Sequence, residues 1–171
     1  EKPAITCPAD ITVLTSSNGT GDCAGMVPNL IPGAVATDNC TSPLTNFVQT
    51  PAGGTFLSGV HGQQFDVLIA VTDASGNSSS CELEITLVDD EAPVLPAPPV
   101  VAPVSCAQNV PVIPNLTPSD NCGILDFDYT EVTTQGTCHD NFTLTRTWIA
   151  TDFAGNTTSQ VQVITVSDTQ A

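Results

Sequence analysis

Apolar residues recur at every second position in several short runs of this chain, most clearly in residues 65–71. One face of that run carries Phe65, Val67, Ile69 and Val71. This period of two is typical of a strand with one buried face. After a turn-forming segment at 73–77 the alternation returns in residues 81–88. The pattern predicts a β-hairpin, and no stretch has the 3.6-residue period of a helix.

The chain also repeats itself. Residues 37–40 resemble 119–122, and the matches of 71–77 with 150–156 and of 85–89 with 164–168 have one common offset. Such matches indicate two copies of one unit. We therefore predict two tandem domains, residues 1–90 and 91–171, each an antiparallel sandwich of about seven strands. Partial echoes of the junction at both chain ends indicate a segment cut from a longer array of repeats.

Turn and cysteine motifs suggest a family. In the first copy they are Ile5–Pro8, Cys23, Pro32, Thr37–Cys40, Pro51–Phe56, Gly59 and Asp73–Cys81. This copy resembles the hyalin repeat (HYR) family of immunoglobulin-like domains. The second copy, with Asp120–Gly123 and Leu144–Trp148, resembles the related repeats of very large Bacteroidota surface proteins, including gliding adhesins. The resemblance implies an all-β fold of two immunoglobulin-like sandwiches and an extracellular adhesive or spacer role, with no catalytic residue.

Charge excludes several kinds of partner. The 171 residues include 18 acidic and two basic side chains, a formal net charge of −16. Nucleic acids and anionic lipid surfaces bind through lysine and arginine, so neither is expected as a partner. No apolar run approaches the roughly 20 residues of a membrane span, and we expect no membrane insertion. Without an N-terminal signal pattern, the chain is expected to be a mature or excised fragment.

Seven cysteines in so Pro- and Gly-rich a chain indicate an oxidising, extracellular or cell-surface location. Corresponding positions in the two copies predict the bonds Cys23–Cys40 and Cys106–Cys122. Cys7 and Cys81 are both missing from the second copy, where Gln160 replaces Cys81, so we predict that they pair. Cys138 is left over. It is either a buried thiol, an intermolecular link, or a sign that the second copy is paired differently.

Candidate modification and catalytic residues give weaker signals. Six Asn-X-Ser/Thr sequons are candidate N-glycosylation sites, although a Ser/Thr-rich composition also produces them; they are Asn18, Asn39, Asn77, Asn115, Asn141 and Asn156. His61 and His139 lie near no nucleophile motif and lack metal-ligand spacing. We expect no enzymatic activity.

Carboxylates near the junction of the copies form the best candidate site. In an immunoglobulin-like sandwich the loop after the second strand and the last hairpin turn share the pole that the preceding linker enters. Five acidic residues would gather there, namely Asp89, Asp90, Glu91, Asp120 and Asp152. Oxygen ligands of this kind suit Ca²⁺, and the junction resembles a cadherin linker. The alternative is that Asp-Asn pairs only form turns through their own side chains.

Arg146 has the strand phase of Leu144 and Trp148, which places it at a core position. A charge there needs a partner, and Asp126 or Asp128 on a neighbouring strand are candidates. Alternatively, its stem packs over Trp148 while the guanidinium reaches solvent.

Together these features predict a disulfide-stapled, non-enzymatic stalk or filament shaft of a secreted cell-surface adhesin. Its partners would be neighbouring repeats of the same chain and other copies of the protein in a filament. Two alternatives are a module that binds an extracellular protein or glycan, and an accessory domain of a secreted hydrolase.

Overall fold

The computed structural model describes residues 1–19, 21–40, 42–105, 107–137 and 141–167. The chain divides into two compact units, residues 1–90 and 91–171, which are described in turn. Both are built from β-strands, and the only helical segments described are short 3₁₀ turns. The predicted all-β class is therefore confirmed. No described helix is long and apolar enough to span a membrane.

Unit 1 contains eight strands and two 3₁₀ turns, the latter at Thr15–Asn18 and Ile31–Gly33. The strands are β1 (Ala4–Thr6), β2 (Ile11–Leu14), β3 (Ala24–Met26), β4 (Val35–Thr37), β5 (Asn46–Thr50), β6 (Phe56–Ser58), β7 (Gln64–Thr72) and β8 (Ser78–Val88).

The largest sheet of unit 1 has the order β2-β8-β7-β5, and two short pairs, β1-β4 and β3-β6, form the rest. The predicted hairpin is present as β7 and β8, whose antiparallel register runs from the Gln64/Thr86 pair to the Thr72/Ser78 pair. Strand β2 is the exception to the antiparallel prediction, because it runs parallel to β8. The first and last parts of unit 1 are therefore neighbours in the same sheet.

The core of unit 1 follows the alternation read from the sequence. The inward faces of β7 and β8 supply buried Val67 and Ile69 and buried Ile85 and Leu87, joined by Val13 of β2 among others. Burying such side chains contributes roughly 1.5–3 kcal/mol each. Because the intervening residues are polar or exposed, a shift of one residue in register would turn this apolar face to solvent.

Unit 2 has a single described sheet, with strands β9 (Ile124–Gln135), β10 (Phe142–Asp152) and β11 (Thr157–Val166) and a 3₁₀ turn at Ala107–Asn109. The order is β11-β10-β9, all antiparallel. The expectation of about seven strands is wrong for the described part of this unit. The opening region that forms β1 to β4 in unit 1 is replaced here by Pro-rich chain, and proline has no N–H to donate to a strand ladder.

This Pro-rich segment, residues 93–114, is called the strap. Backbone pairing joins it to the rest of unit 2 at isolated bridges, such as the parallel bridge of Val104 with Val166 of β11. Its apolar residues complete the core. Leu95 packs in a cluster with Trp148, and Val101 packs against the buried cluster of Leu144, Ile164 and Val166. The strap therefore takes the place of a second sheet.

Side chains replace the missing backbone ladder. Gln160 Nε2 donates a hydrogen bond to the Leu95 carbonyl at 3.2 Å, and Gln162 Nε2 donates to the Pro99 carbonyl at 2.7 Å. Both glutamines share the inward face of β11 with buried Ile164 and Val166, whereas Val161 and Val163 on the other face are exposed. Their long amides satisfy strap carbonyls that would otherwise be buried without partners.

The structure tests part of the predicted disulfide scheme. Cys7 and Cys81 are bonded, with Cα atoms 5.6 Å apart across a sequence separation of 74 residues, as the comparison of the two copies predicts. Cys122 is also disulfide-bonded. Cys106 and Cys138, the other cysteines of unit 2, lie outside the described residues, so the predicted Cys106–Cys122 bond and the fate of Cys138 stay predictions.

The predicted Cys23–Cys40 bond is wrong. Cys40 is an exposed free thiol, whereas Cys23 is disulfide-bonded. Cys23 leads directly into β3, and its carbonyl accepts a hydrogen bond from the Gly59 N–H after β6. Cys40 instead follows β4, which belongs to the β1-β4 pair. Cys23 and Cys40 are close in the sequence but lie next to strands of two different sheets, so their thiols are not brought together.

Candidate functional site

The turn between β10 and β11 is built around the carboxylate of Asp152, which is fully buried. Its Oδ1 atom accepts hydrogen bonds from the N–H groups of Ala154 and Asn156, both at 2.8 Å. Its Oδ2 atom accepts a bond from Asn156 Nδ2 at 2.9 Å. Gly155 has a φ of 89°, which only glycine adopts without strain. The sequence Asp-X-X-Gly-Asn thus encodes a turn closed by its own side chains.

Two further acidic residues of unit 2 lie at the same end of the sheet. Asn121 Nδ2 donates to Glu91 Oε2 at 2.8 Å, and Asn156 Nδ2 donates to the Glu91 carbonyl at 3.1 Å. Asp120 Oδ1 accepts hydrogen bonds from the N–H groups of Cys122 and Gly123. A carboxylate oxygen of Asp120 lies within 4.8 Å of one of Asp152. We call Glu91, Asp120, Asn121, Asp152 and Asn156 the acidic pole of unit 2.

Unit 1 has the same arrangement at its own start. Asn39 Nδ2 donates to Glu1 Oε2 at 3.0 Å, and Asn77 Nδ2 donates to the Glu1 carbonyl at 3.2 Å. Asn77 also donates to Asp73 Oδ2 at 2.8 Å, and Asp38 Oδ1 accepts from the N–H of Cys40. Every bond of this kind has its counterpart in unit 2. The acidic pole of unit 1 therefore consists of Glu1, Asp38, Asn39, Asp73 and Asn77.

Sequence reasoning identified the Asp-Asn motifs and Glu91 but missed the contribution of Glu1. The available signal was the echo of Glu91-Ala92-Pro93 in Glu1-Lys2-Pro3. In each unit this glutamate connects the incoming chain to both turns. Its role depends on tertiary neighbours 38 and 76 residues away, which a local motif cannot show.

Asp89 and Asp90, the other two predicted calcium ligands, end unit 1 and bind its first 3₁₀ turn. Thr15 Oγ1 donates to Asp89 Oδ1 at 3.1 Å. The N–H of Ser16 donates to Asp90 Oδ1 at 3.0 Å, and its hydroxyl donates to Asp90 Oδ2 at 2.6 Å. Burial raises the pKa of the Asp90 carboxyl, but the hydrogen bonds from Ser16 and Thr15 together outweigh it, so the pKa is lowered.

The pKa of Asp73 is lowered from its ordinary value of 3.8, first by the hydrogen bond from the Asn77 side chain and then by the N–H groups of Asn77 and Ser75, against an opposing effect of burial. A carboxyl whose folded pKa is depressed stabilises the fold at pH values above its unfolded pKa. That contribution is lost as the pH falls through the folded pKa, below about 3.8.

The two turn aspartates allow a matched prediction. Asp152→Asn places an amide N–H₂ where Oδ2 accepts from Asn156, so two donors face each other in a buried site. We expect unit 2 to lose about 1–3 kcal/mol of stability. Asp73→Asn should destabilise unit 1 in the same direction. Urea titration followed by circular dichroism measures both changes. Asp66→Asn, which removes the same charge from an exposed strand position, is the control; an equal loss there would contradict the turn explanation.

Arg146 is buried, with 3% of its surface exposed. Its Nε donates to Glu131 Oε2 at 2.7 Å, Nη1 to Gln162 Oε1 at 3.2 Å and Nη2 to the Pro111 carbonyl at 3.0 Å. The predicted need for a partner is therefore met, and the solvent-reaching alternative is wrong.

The predicted partners Asp126 and Asp128 are wrong. The observed partner, Glu131, lies directly opposite Arg146 in the β9-β10 register. Asp126 and Asp128 point to the other face of the sheet because side chains alternate along a strand. Tyr129, which shares the inner face with residue 131, adds a hydrogen bond to the same carboxylate at 3.0 Å.

Four sequon asparagines have structural roles in the fold. The side-chain amides of Asn18, Asn39, Asn77 and Asn156 all donate hydrogen bonds, so a glycan on any of them would remove a donor from a turn or pole. Asn115 is exposed and Asn141 is half-buried. Glycosylation stays a prediction at all six positions. His61 accepts a hydrogen bond from the N–H of Asp89 through Nδ1, and His139 lies outside the described residues.

A groove of about 530 Å³ opens in unit 1 between the edge strands β4 and β5, lined by residues including Ile31, Val35, Leu44 and Phe47. Large exposed aromatic side chains in the described ranges are Phe56 in unit 1 and Phe153 in unit 2.

No protein-family model and no curated protein matches the chain. Among solved structures it is similar to Drosophila N-cadherin EC1-4, with 13% sequence identity and a TM-score of 0.47 over 98% of this chain and 50% of that one. It is also similar to mouse cadherin-23 EC22-24, with 15% identity and a TM-score of 0.44 over 96% of this chain and 66% of that one. The chain thus spans about half of the N-cadherin structure and about two thirds of the cadherin-23 structure.

Proposed function

We propose that the chain is a structural segment of an extracellular repeat array, serving as a disulfide-stapled stalk or filament shaft. The observation that carries this proposal is the duplication of the acidic pole. In each unit the incoming glutamate binds both the Asp-Asn turn and the hairpin turn. A junction built identically in both units is what a head-to-tail array requires, because every repeat must hold the linker before it in the same way.

Covalent and proteolytic stability support an extracellular stalk. The Cys7–Cys81 bond joins the first and last parts of unit 1, and disulfides persist in oxidising compartments. Trypsin-like proteases cleave after lysine and arginine. Lys2 is followed by Pro3, which blocks such cleavage, and Arg146 is buried in β10.

The acidic poles are candidate Ca²⁺ sites. In unit 2, Glu91, Asp120 and Asp152 offer carboxylate oxygens, and Asn121 Oδ1 is buried without a hydrogen-bond partner in the described structure. Carboxylate and amide oxygens are the ligands that Ca²⁺ prefers. The residues present therefore fit the ion, which would neutralise clustered negative charge there. The sequence adds Asp89 and Asp90 to this set.

Glu91→Gln tests calcium binding without breaking the pole, because a glutamine Oε1 can still accept the bond from Asn121. If Ca²⁺ binds with a dissociation constant of roughly 0.1–1 mM, as in other extracellular modules, then 2 mM Ca²⁺ stabilises unit 2 by about 0.6–1.8 kcal/mol. We expect calorimetric heat and a calcium-dependent melting shift for the natural chain, both weakened in Glu91→Gln. Glu82→Gln, an exposed charge removed from β8, is the control. No heat with any of the three proteins would show that the poles are turns only.

Replacement of the segment tests the stalk function itself. In the full-length protein displayed on cells, residues 1–171 would be exchanged for two unrelated β-sandwich domains. A stalk predicts that adhesion survives this exchange and is lost when the segment is simply deleted. If adhesion is lost in both, the segment is itself the binding module. Adhesion that survives both changes would show that the segment has no spacer role.

A further inference from the structure

The cysteines of unit 1 do not all pair with one another. Residues 1–90 contain four cysteines, all in the part of the chain that the structure describes, namely Cys7, Cys23, Cys40 and Cys81. Cys7 is bonded to Cys81, and Cys40 is an exposed free thiol. Cys23 is also disulfide-bonded, so its covalent link leaves residues 1–90. Unit 1 therefore has one cysteine that links outward and one that is available for a further link.

Cys23 lies at the end of unit 1 from which the chain leaves, called the exit end. It directly precedes β3, where the Ala24 carbonyl accepts a hydrogen bond from Asn18 Nδ2 at 2.8 Å. Asn18 is the last residue of the first 3₁₀ turn. The N–H of Ser16 in the same turn donates to Asp90, the last residue of the unit. The outward link of Cys23 is therefore made at the exit end.

Cys40 lies at the other end of unit 1, in its acidic pole. The neighbouring Asn39 donates to Glu1 Oε2 at 3.0 Å, and Asn77, just before β8, donates to the Glu1 carbonyl. Strand β8 runs from this pole to the exit end, and its 11 residues at about 3.3 Å each span roughly 36 Å. A disulfide requires Cα atoms within about 7 Å. Cys23 and Cys40 of one unit are therefore too far apart to pair, and Cys40 is exposed where the chain enters.

Unit 2 has a cysteine at the position of Cys40, and that cysteine is bonded. The motif Asp-Asn-Cys occurs at residues 38–40 and again at residues 120–122. In both copies the N–H of the cysteine donates to Oδ1 of the aspartate. Cys122 is disulfide-bonded, whereas Cys40 is free. The same local structure thus carries a bonded cysteine in one unit and an exposed thiol in the other.

We propose that Cys40 forms a disulfide with the repeat that precedes unit 1, at a cysteine that occupies the position of Cys23 in that repeat. An exit-end cysteine of one repeat then joins the entry-end cysteine of the next, so consecutive repeats are linked by a disulfide as well as by the linker. The identity of this partner rests on the proposed repeat array.

The bond forms by oxidation of two thiols. Two S–H bonds break and one S–S bond forms, and a small-molecule disulfide such as oxidised glutathione accepts the two electrons and two protons and leaves as two thiols. An oxidising extracellular compartment allows the product to persist.

Peptide mapping of the full-length protein tests the pairing directly. The protein is isolated from cells with its free thiols blocked by a maleimide, digested without reduction and analysed by mass spectrometry. We expect the peptide that contains Cys40 to be linked to a cysteine peptide from the sequence immediately before Glu1. Recovery of the Cys40 peptide as a maleimide adduct, or linked to the Cys40 peptide of a second chain, would overturn the proposal.

A head-to-tail fusion tests the same pairing with defined cysteines. A copy of residues 1–90 that carries Cys40→Ser is placed before residues 1–171, and the protein is equilibrated with reduced and oxidised glutathione. Maleimide labelling and intact mass then count the free thiols. We expect one free thiol fewer than in the 171-residue chain, because Cys23 of the added copy consumes Cys40. The same number of free thiols, or one more, would overturn the proposal.

The matched control fusion carries Cys23→Ser in the added copy as well. Its Cys40 is expected to stay free, which gives the thiol count of the 171-residue chain. Loss of the Cys40 thiol in this control would contradict the proposed partner position. The domain exchange that tests the stalk function does not depend on Cys40, so a stalk whose repeats are not linked in this way would pass that test and fail these.

Discussion

Replacing both Cys7 and Cys81 by serine is expected to lower the free energy of unfolding of unit 1 by about 4 kcal/mol. The bond closes a loop with a sequence separation of 74 residues, and in the chain-entropy model a loop of this size restricts the unfolded chain by about that amount. A domain of this size has roughly 5–15 kcal/mol in total, so the loss would remove much of its stability. Denaturant titration of the oxidised chain, in which the two units are expected to unfold separately, measures it.

Cys40→Ser is the matched control. It introduces serine, as the double variant does, but at a cysteine whose thiol is exposed and free. We expect no measurable loss from it. Should Cys40→Ser destabilise unit 1 as much as the double variant does, Cys40 would have to be bonded in solution, and the pairing found in the structure would be wrong. If neither variant is destabilised, the disulfide would have no stabilising role in this unit.

Arg146→Ala is expected to destabilise unit 2 by about 3 kcal/mol, the lower part of the range for breaking a buried ion pair. The substitution leaves the Pro111 carbonyl and Gln162 Oε1 without their buried donor and opens a cavity beside Trp148. Glu131, whose side chain is 34% exposed, can turn to solvent, so it adds little to the cost. The strap should loosen first, and hydrogen exchange of the backbone amides in residues 107–113 should report it.

Glu131→Gln separates the charge from the packing. Its amide oxygen can still accept from Arg146, so we expect a smaller loss than in Arg146→Ala, of about 1 kcal/mol. The hydrogen bond from Arg146 is the main cause that lowers the pKa of Glu131 from its ordinary 4.5, and the Tyr129 hydroxyl also lowers it, against an opposing effect of burial. This depressed pKa stabilises unit 2 above the unfolded pKa and ceases to do so as the pH falls through the folded pKa.

The natural chain and Glu131→Gln should therefore differ in stability at pH 7 and converge once the pH falls below the lowered pKa of Glu131, because Glu131 is then protonated and resembles glutamine. Urea titrations of both proteins between pH 3 and pH 7 measure this difference directly. A difference that stays constant over the whole range would show that Arg146 does not depend on the charge of its partner.

The sequence by itself determined the strands with strong alternation and the turns that close on themselves. Val67, Ile69, Ile85 and Leu87 are buried as their spacing predicts, because a strand with one apolar face has a single favourable register. The hairpin turns at Asp73 and Asp152 could also be predicted, since their bonds span at most four residues. The Cys7–Cys81 bond was found from the absence of both residues in the second copy. In each case the information is local or is duplicated within the chain.

Only the tertiary structure decided the rest. The free thiol at Cys40, the pairing of Arg146 with Glu131 and the role of Glu1 depend on which sheet or face a residue occupies. Sequence spacing does not determine that choice. The strap shows the same limit, because its prolines exclude a regular ladder but do not reveal that Gln160, Gln162 and Arg146 bind its carbonyls. Polar residues at apolar positions are understood only when their buried partners are known, since burial without a partner is unfavourable.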